Sequence, residues 1–108
     1  MDGIRWLETD SLGNEIYLTE ERWEHITNPM NHPEMLEFEN ELRETIRLGA
    51  RKQEALNPQK YRYSKKFDDL TSENTHIIAV AVMSFSISED ENVIPNNFVV
   101  TAYQKKVW

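Results

Sequence analysis

The chain has 108 residues, 39% of them hydrophobic and 29% charged, and a formal net charge of −7. That is enough chain for one domain with one core, and no apolar run reaches the ~18 residues that a membrane span needs. With no cysteine there is no disulfide framework, thiol nucleophile or thiolate metal site, and the acidic balance argues against indiscriminate nucleic-acid binding.

Residues 4–8 (IRWLE) and 15–18 (EIYL) are short apolar runs around TDSLGN, whose Gly13-Asn14 pair signals a turn, so a β-hairpin is predicted. Thr19 then caps a helix whose first turn holds Glu20, Glu21 and Arg22, two acids at the positive end of the dipole. Pro29 ends that helix, because it lacks an N–H and biases Asn28 away from helical angles. Trp23 and Ile26 are expected to face inward. Asn31 or His32 is placed at the next N-cap, with Pro33 at the first helical position. From Pro33 to Leu48 the apolar residues Met35, Phe38, Leu42 and Ile46 recur at steps of three, four and four, which is one helix stripe. Gly49 stands where a left-handed residue would close the helix.

The second half changes period. KYRYSKKF (60–67) alternates Tyr61, Tyr63 and Phe67 with Lys60, Arg62 and Lys66, as a half-buried strand does. After the polar DDLTSENT loop, HIIAVAVMSFSI (76–87) reads as the central strand of a sheet. SEDENVIPN connects it to NFVVTAY (97–103), a closing antiparallel strand with Phe98, Val100 and Ala102 on one face and Val99, Thr101 and Tyr103 on the other. The expected fold is one α+β domain over 1–108, an N-terminal β-hairpin and two helices packed against an antiparallel β-sheet. Its core is expected to bury Met35, Phe38, Leu42, Ile46, Val80, Val82 and Phe98. MDGIRWLETD has no apolar signal-peptide core, so a cytoplasmic protein without a membrane partner is expected.

Charge is unevenly spread. Residues 1–42 carry a net −9, residues 43–66 a net +6 and residues 67–108 a net −4. Two accounts of the basic middle stay open at this level. One is a solvated helix face with Glu39–Arg43 pairing at i,i+4, which the charges taken alone favour; the other is a phosphate-facing surface.

Several chemistries drop out. The three glycines are scattered at 3, 13 and 49, so there is no phosphate loop. His25, His32 and Glu34 lack a third and fourth partner for zinc, and no cofactor or metal is expected. Each remaining polar residue has a plain structural role open to it: His25 can pack, His32 can cap a helix, and Tyr61, Tyr63 and Thr101 are good strand formers. Together, however, a histidine near its neutral range, phenols and cations are what metal-free RNA cleavage requires. One group takes the 2′-OH proton, another protonates the leaving 5′-oxygen, and Arg or Lys stabilises the phosphorane charge.

The strings IYLTEERWEHI (16–26), HPE (32–34), YRY (61–63) and FVVTAY (98–103) resemble phage-associated members of the barnase–EndoU–colicin–RelE nuclease group. The resemblance spans about residues 4 to 105, through short motifs in the same order. It implies an RNase-like fold, a toxin or effector type of activity on RNA, and a protein antitoxin or inhibitor as a further partner. Carried over by position, the candidate catalytic residues are His25, His32, Tyr63, Thr101 and Tyr103. Arg62, Lys65, Lys66 and Arg47 are the candidate phosphate-binding cations. An inactive relative that keeps the fold as a nucleic-acid- or protein-binding module, or an acidic mimic of nucleic acid, is the other reading of the same residues. If the residues form one site, Thr101 and Tyr103 are expected to lie opposite Tyr63 and Lys65, with a histidine approaching from the helix side.

Overall fold

The computed structural model describes residues 3–107; Met1, Asp2 and Trp108 of the expected domain lie outside the described residues. Strands β1 (Ile4–Thr9) and β2 (Glu15–Thr19) form the predicted antiparallel hairpin. Asp10 organises its loop. One carboxylate oxygen accepts the N–H groups of Leu12 (3.0 Å) and Asn14 (2.8 Å), and the other accepts the Asn14 amide (3.0 Å). Thr19 Oγ1 then accepts the Arg22 N–H at 3.0 Å and starts helix α1 (Glu20–Thr27), whose Trp23 and Ile26 are buried as expected.

The single helix expected over Pro33–Leu48 is two elements. Pro33–Glu37 is a 3-10 helix, the chain turns at Phe38 (φ −124°, ψ 28°), and α2 (Glu39–Leu48) follows. His32 precedes the 3-10 helix without capping it, and Asn31 instead donates to the His25 carbonyl at 2.8 Å, closing the end of α1. The turn lets Met35 and Leu42, on either side of it, both bury completely, while Phe38 stays half-buried. Burying a side chain of that size is worth ~1.5–3 kcal/mol, more than the ~0.5–1.5 kcal/mol net of a helical hydrogen bond lost at the break.

Gly49 is extended (φ −71°, ψ 158°) rather than left-handed. Space explains it: a Cβ there would lie 2.4 Å from the Thr45 carbonyl oxygen and 2.8 Å from that of Ser64. The chain runs straight on into β3 (Ala50–Gln53), a strand that ARKQ, with no apolar alternation, does not announce. Strands β4 (Lys60–Lys66), β5 (His76–Val82) and β8 (Asn97–Lys105) form the predicted antiparallel meander. The apolar run 76–87 breaks at Met83 and Ser84, where Ser84 Oγ donates to the Asn96 carbonyl at 2.5 Å. Beyond the break, β6 (Phe85–Ile87) pairs with β7 (Val93–Pro95) in a separate two-stranded ribbon.

The main sheet has the order β1-β2-β8-β5-β4-β3. It is mixed rather than antiparallel throughout, because β2 runs parallel to β8 over the pairs Ile16–Asn97 and Tyr17–Phe98. Residues of α1, α2 and the 3-10 helix share one buried cluster with Ile16, Leu18, Tyr63, Ile77, Ala79, Ala81, Val99 and Ala102 from the strands. That cluster defines the helix-facing side of the sheet. The opposite side carries no helix and is called here the open face.

A bulge decides which residues of β8 go where. Ala81 pairs with Val99 but Val80 pairs with Thr101, so Val100 is an extra residue. Val99 and Ala102 therefore both face the helices, while Phe98, Thr101 and Tyr103 line up with Val82, Val80 and Ile78 on the open face. The expected strict alternation is corrected accordingly. Val80, Val82 and Phe98 are half-buried on the open face, and Ile77, Ala79, Ala81, Val99 and Ala102 occupy the core in their place.

Tyr63, 1% exposed, donates its phenol to Asp10 Oδ2 at 2.5 Å, fastening β4 to the far hairpin. Burial raises the Tyr63 pKa and its bond to Asp10 raises it further. Burial pushes Asp10 upward too, but bonds from Tyr63, Asn14 and Leu12 outweigh this and hold its carboxyl below the ordinary value. Two outcomes are expected. Leu42→Ala, which empties a fully buried position, costs ~2–5 kcal/mol in denaturant unfolding. Tyr63→Phe costs ~1.5–3 kcal/mol near neutral pH, the range for a hydrogen bond to a charged group. The difference between wild type and Tyr63→Phe shrinks below about pH 4, where Asp10 in the unfolded chain takes up a proton that the folded chain resists. It shrinks again above about pH 10, where the unfolded phenol ionises before the folded one. Unfolding curves across pH check both limbs.

Candidate functional site

The parallel contact between β2 and β8 is only two residue pairs long. No further pair follows it, and α1, which starts directly after β2, lies against both strands. A cleft of about 380 Å³ results, lined by Tyr17, Thr19, Glu21, Arg22, His25, Phe98 and Val99. Tyr17 and Phe98 form one wall, with ring centroids 6.0 Å apart and the Tyr17 hydroxyl donating to Asn96 at 2.9 Å. Helix α1 supplies the other wall. Its Glu21, Arg22 and His25 occupy the same cleft because residues four apart lie on one helix face and Arg22 adjoins it. Among the described residues, neither Arg22 nor His25 forms an ion pair with a carboxylate. The cleft thus holds a carboxylate, an imidazole and an uncommitted guanidinium beside an aromatic wall.

His32 lies farther along β8. Its ring is 5.7 Å from that of Tyr103, and its Nδ1 is 3.5 Å from Glu34. Thr101, Tyr103 and Lys105 follow one another on the open face of β8, about 6–7 Å apart at two residues per step. In register with them across β5, β4 and β3 stand Val80, Arg62 and Lys52, then Ile78, Ser64 and Ala50, then His76 and Lys66. His76 Nδ1 is 2.7 Å from the Thr75 hydroxyl.

The arrangement expected from sequence, with Thr101 and Tyr103 facing Tyr63 and Lys65, is not formed. Tyr63 and Lys65 do share a face, but it is the helix-facing one. Tyr63 pairs with Ala79 and so with Ala102, one residue out of step with Thr101 and Tyr103. Tyr63 is spent on Asp10, and Lys65 reaches Glu44 of α2 at 2.9 Å. Arg47 pairs with Glu8 at 3.2 Å beside Arg43, whose Nε is 2.5 Å from the same carboxylate. The Glu39–Arg43 pair therefore does not form. Glu39 instead takes Arg5 and the Trp6 indole N–H (3.0 Å), and the Arg5 guanidinium holds the Glu39 carboxyl below its ordinary value. Arg62 is tied to Glu54 at 2.8 Å, and Lys66 is exposed on the open face.

Of the nine candidate residues, His25 is in the cleft, His32, Thr101, Tyr103, Arg62 and Lys66 lie on or beside the open face, and Tyr63, Lys65 and Arg47 are structural on the other side. Tyr17, Glu21, Arg22 and Phe98 were missed as site residues. The i,i+4 spacing of Glu21 and His25, with Arg22 inside it, was the available signal. No cluster of three or more metal-ligating side chains occurs among the described residues, and no helix there is long and apolar enough to cross a membrane. Compared with known proteins, the chain matches no family model, no curated protein and no solved structure. Because Arg22 and His25 hold no structural partner in the cleft, Arg22→Ala and His25→Ala are expected to shift stability by no more than ~0.5 kcal/mol. Parallel thermal melts with Tyr63→Phe check the contrast.

Proposed function

We propose that the chain is a metal-independent endoribonuclease whose reaction centre is the cleft between β2, β8 and α1. One observation carries this reading: Glu21, Arg22 and His25 line a single cleft with the Tyr17–Phe98 wall, and Arg22 and His25 form no ion pair among the described residues. In it, the Glu21 carboxylate takes the proton of the 2′-OH and O2′ attacks the adjacent phosphorus. The bond to O5′ breaks as His25, in its protonated form, gives that oxygen a proton. The products are a 2′,3′-cyclic phosphate and a 5′-hydroxyl end. Arg22 donates to the non-bridging oxygens, where charge accumulates as the fifth bond forms, and the ring wall seats a neighbouring base.

A second reading rests on its own observation. Tyr63 and Lys65, carried over from the nuclease resemblance, and Arg47, a further candidate cation, are engaged in structural pairs. A relative that has lost turnover and binds RNA or a protein through the same cleft fits that loss.

The deciding experiment is incubation of end-labelled RNA with the purified protein in EDTA. The expected outcome is cleavage leaving 2′,3′-cyclic phosphate ends, with a bell-shaped pH profile. His25→Ala and Glu21→Gln are each expected to lower kcat ~10²–10⁴-fold without loss of fold. Binding without cleavage, unchanged by either substitution, supports the second reading instead.

A further inference from the structure

The lysines of this acidic chain that hold no ion pair among the described residues stand on the open face of the sheet. Four of the eight basic residues of the 43–66 stretch are held in ion pairs: Arg43 and Arg47 by Glu8, Lys65 by Glu44 and Arg62 by Glu54. Lys52, Lys66 and Lys105 are exposed, and none has a carboxylate within ion-pair distance among the described residues. Pairing registers bring the three onto one surface. Lys66 sits opposite His76 and His76 opposite Lys105, while Lys52 sits opposite Arg62 two same-face steps along. Between them lies a depression of about 340 Å³ whose lining includes Lys52, Arg62, Ser64, His76, Ile78 and Lys105. At its β8 side stand the Tyr103 and His32 rings, tilted 32° against each other, with Tyr103 two residues from Lys105.

We propose that this surface is a second RNA subsite, which takes an unpaired strand running from the cleft along β8 and then across the sheet toward β3. Lys105, Lys66 and Lys52, in that order, receive its phosphates, and the Tyr103–His32 pair receives a base. The identity of the polymer rests on the ribonuclease reading of the cleft; the geometry of the face does not. An unpaired strand is favoured over a duplex because a base stacks on a side-chain ring only when it is free of its own partner. Lysines serve here as point charges for a backbone with no fixed geometry, unlike the forked contacts of arginine. Glu54 and Glu73, which hold Arg62 and Lys106, mark where the cationic strip ends.

The test separates the two readings. Anisotropy with a labelled single-stranded DNA 12-mer, which has no 2′-OH to cleave, reads binding alone. Cleavage of an RNA dinucleotide and of a 12-mer RNA reads the cleft and the face together. In the triple variant Lys52→Glu, Lys66→Glu, Lys105→Glu, binding of the DNA strand is expected to weaken at least tenfold. Its dependence of log affinity on log salt is expected to flatten by about 2, since a single strand contributes ~0.7 per neutralised phosphate. The KM for the 12-mer RNA rises at least tenfold relative to that for the dinucleotide, and Tyr103→Ala weakens the DNA strand about tenfold. Triple-variant binding equal to wild type, duplex bound as tightly as single strand, or no oligonucleotide bound at all overturns the subsite. Lysine-dependent binding with no cleavage of either RNA sinks the ribonuclease reading and leaves the subsite standing. Cleavage of both RNAs with KM values unmoved by the triple substitution does the reverse.

Discussion

The bond from Tyr63 to Asp10 ties together parts of the chain that are 53 residues apart. Asp10 belongs to the loop after β1, at one edge of the sheet order, and Tyr63 to β4, next to the other edge. The residues in register with it, Ala79 and Ala102, are small and fully buried, which leaves room on that face for the hairpin loop and the phenol to meet. A buried carboxylate without partners is costly, so the four hydrogen bonds at Asp10 act as one unit. They shape the hairpin loop and fix which side of β4 faces inward. Once Tyr63 is committed inward, the period of two sends Arg62, Ser64 and Lys66 outward, and the open face inherits its charges from that choice.

The same logic explains how an acidic protein can offer a cationic surface. Net charge describes the whole chain, but attraction of phosphate depends on local excess. Three acids of β1 and α2 are matched by cations on the helix side: Glu8 with Arg43 and Arg47, Glu39 with Arg5, Glu44 with Lys65. These pairs lie where they help hold α2 against β1 and β4. The lysines that remain unmatched are those that the strand period turns the other way. Partition between faces, rather than total charge, sets what the sheet can bind.

Much of this was legible in the residues, and the failures have identifiable causes. The hairpin, the Thr19 cap, the inward Trp23 and Ile26, and the β4–β5–β8 meander follow from turn chemistry and periodicity. The sidedness of β5 and β8 did not, because HIIAVAV and FVV are apolar on both faces and alternation then carries no sign. The bulge at Val100 puts Thr101 and Tyr103 on the face of Phe98 and Ala102 on that of Val99, and no glycine in FVVTAY signals it. Gly49 was noticed, but its reason is the close approach of Ser64, a tertiary fact. The break at Phe38 lies inside an unbroken apolar stripe, so the spacing could not reveal it. At the site, His25 was legible from its motif. Tyr17 and Phe98 were not, because their meeting depends on the parallel pairing of β2 with β8, and a hairpin read in isolation gives no hint of where it docks.

That docking is what makes the cleft. Had β2 paired with β8 along its full length, α1 would have no entry between the strands, and His25 would sit on an outer helix surface far from any sheet residue. Instead β2 ends at Thr19, whose hydroxyl already caps α1, so strand and helix join with no intervening loop. The helix must therefore leave the sheet at the point where pairing stops. Its first turn, with Glu21 and Arg22, and its second, with His25, are carried past Phe98 by this abrupt change of element. A reactive group on a long loop would lose orientation to loop entropy; one on a capped helix anchored by buried Trp23 and Ile26 does not. The short parallel ladder is a weak place in the sheet, and it is also the reason that an imidazole, a guanidinium and two aromatic rings share one cleft.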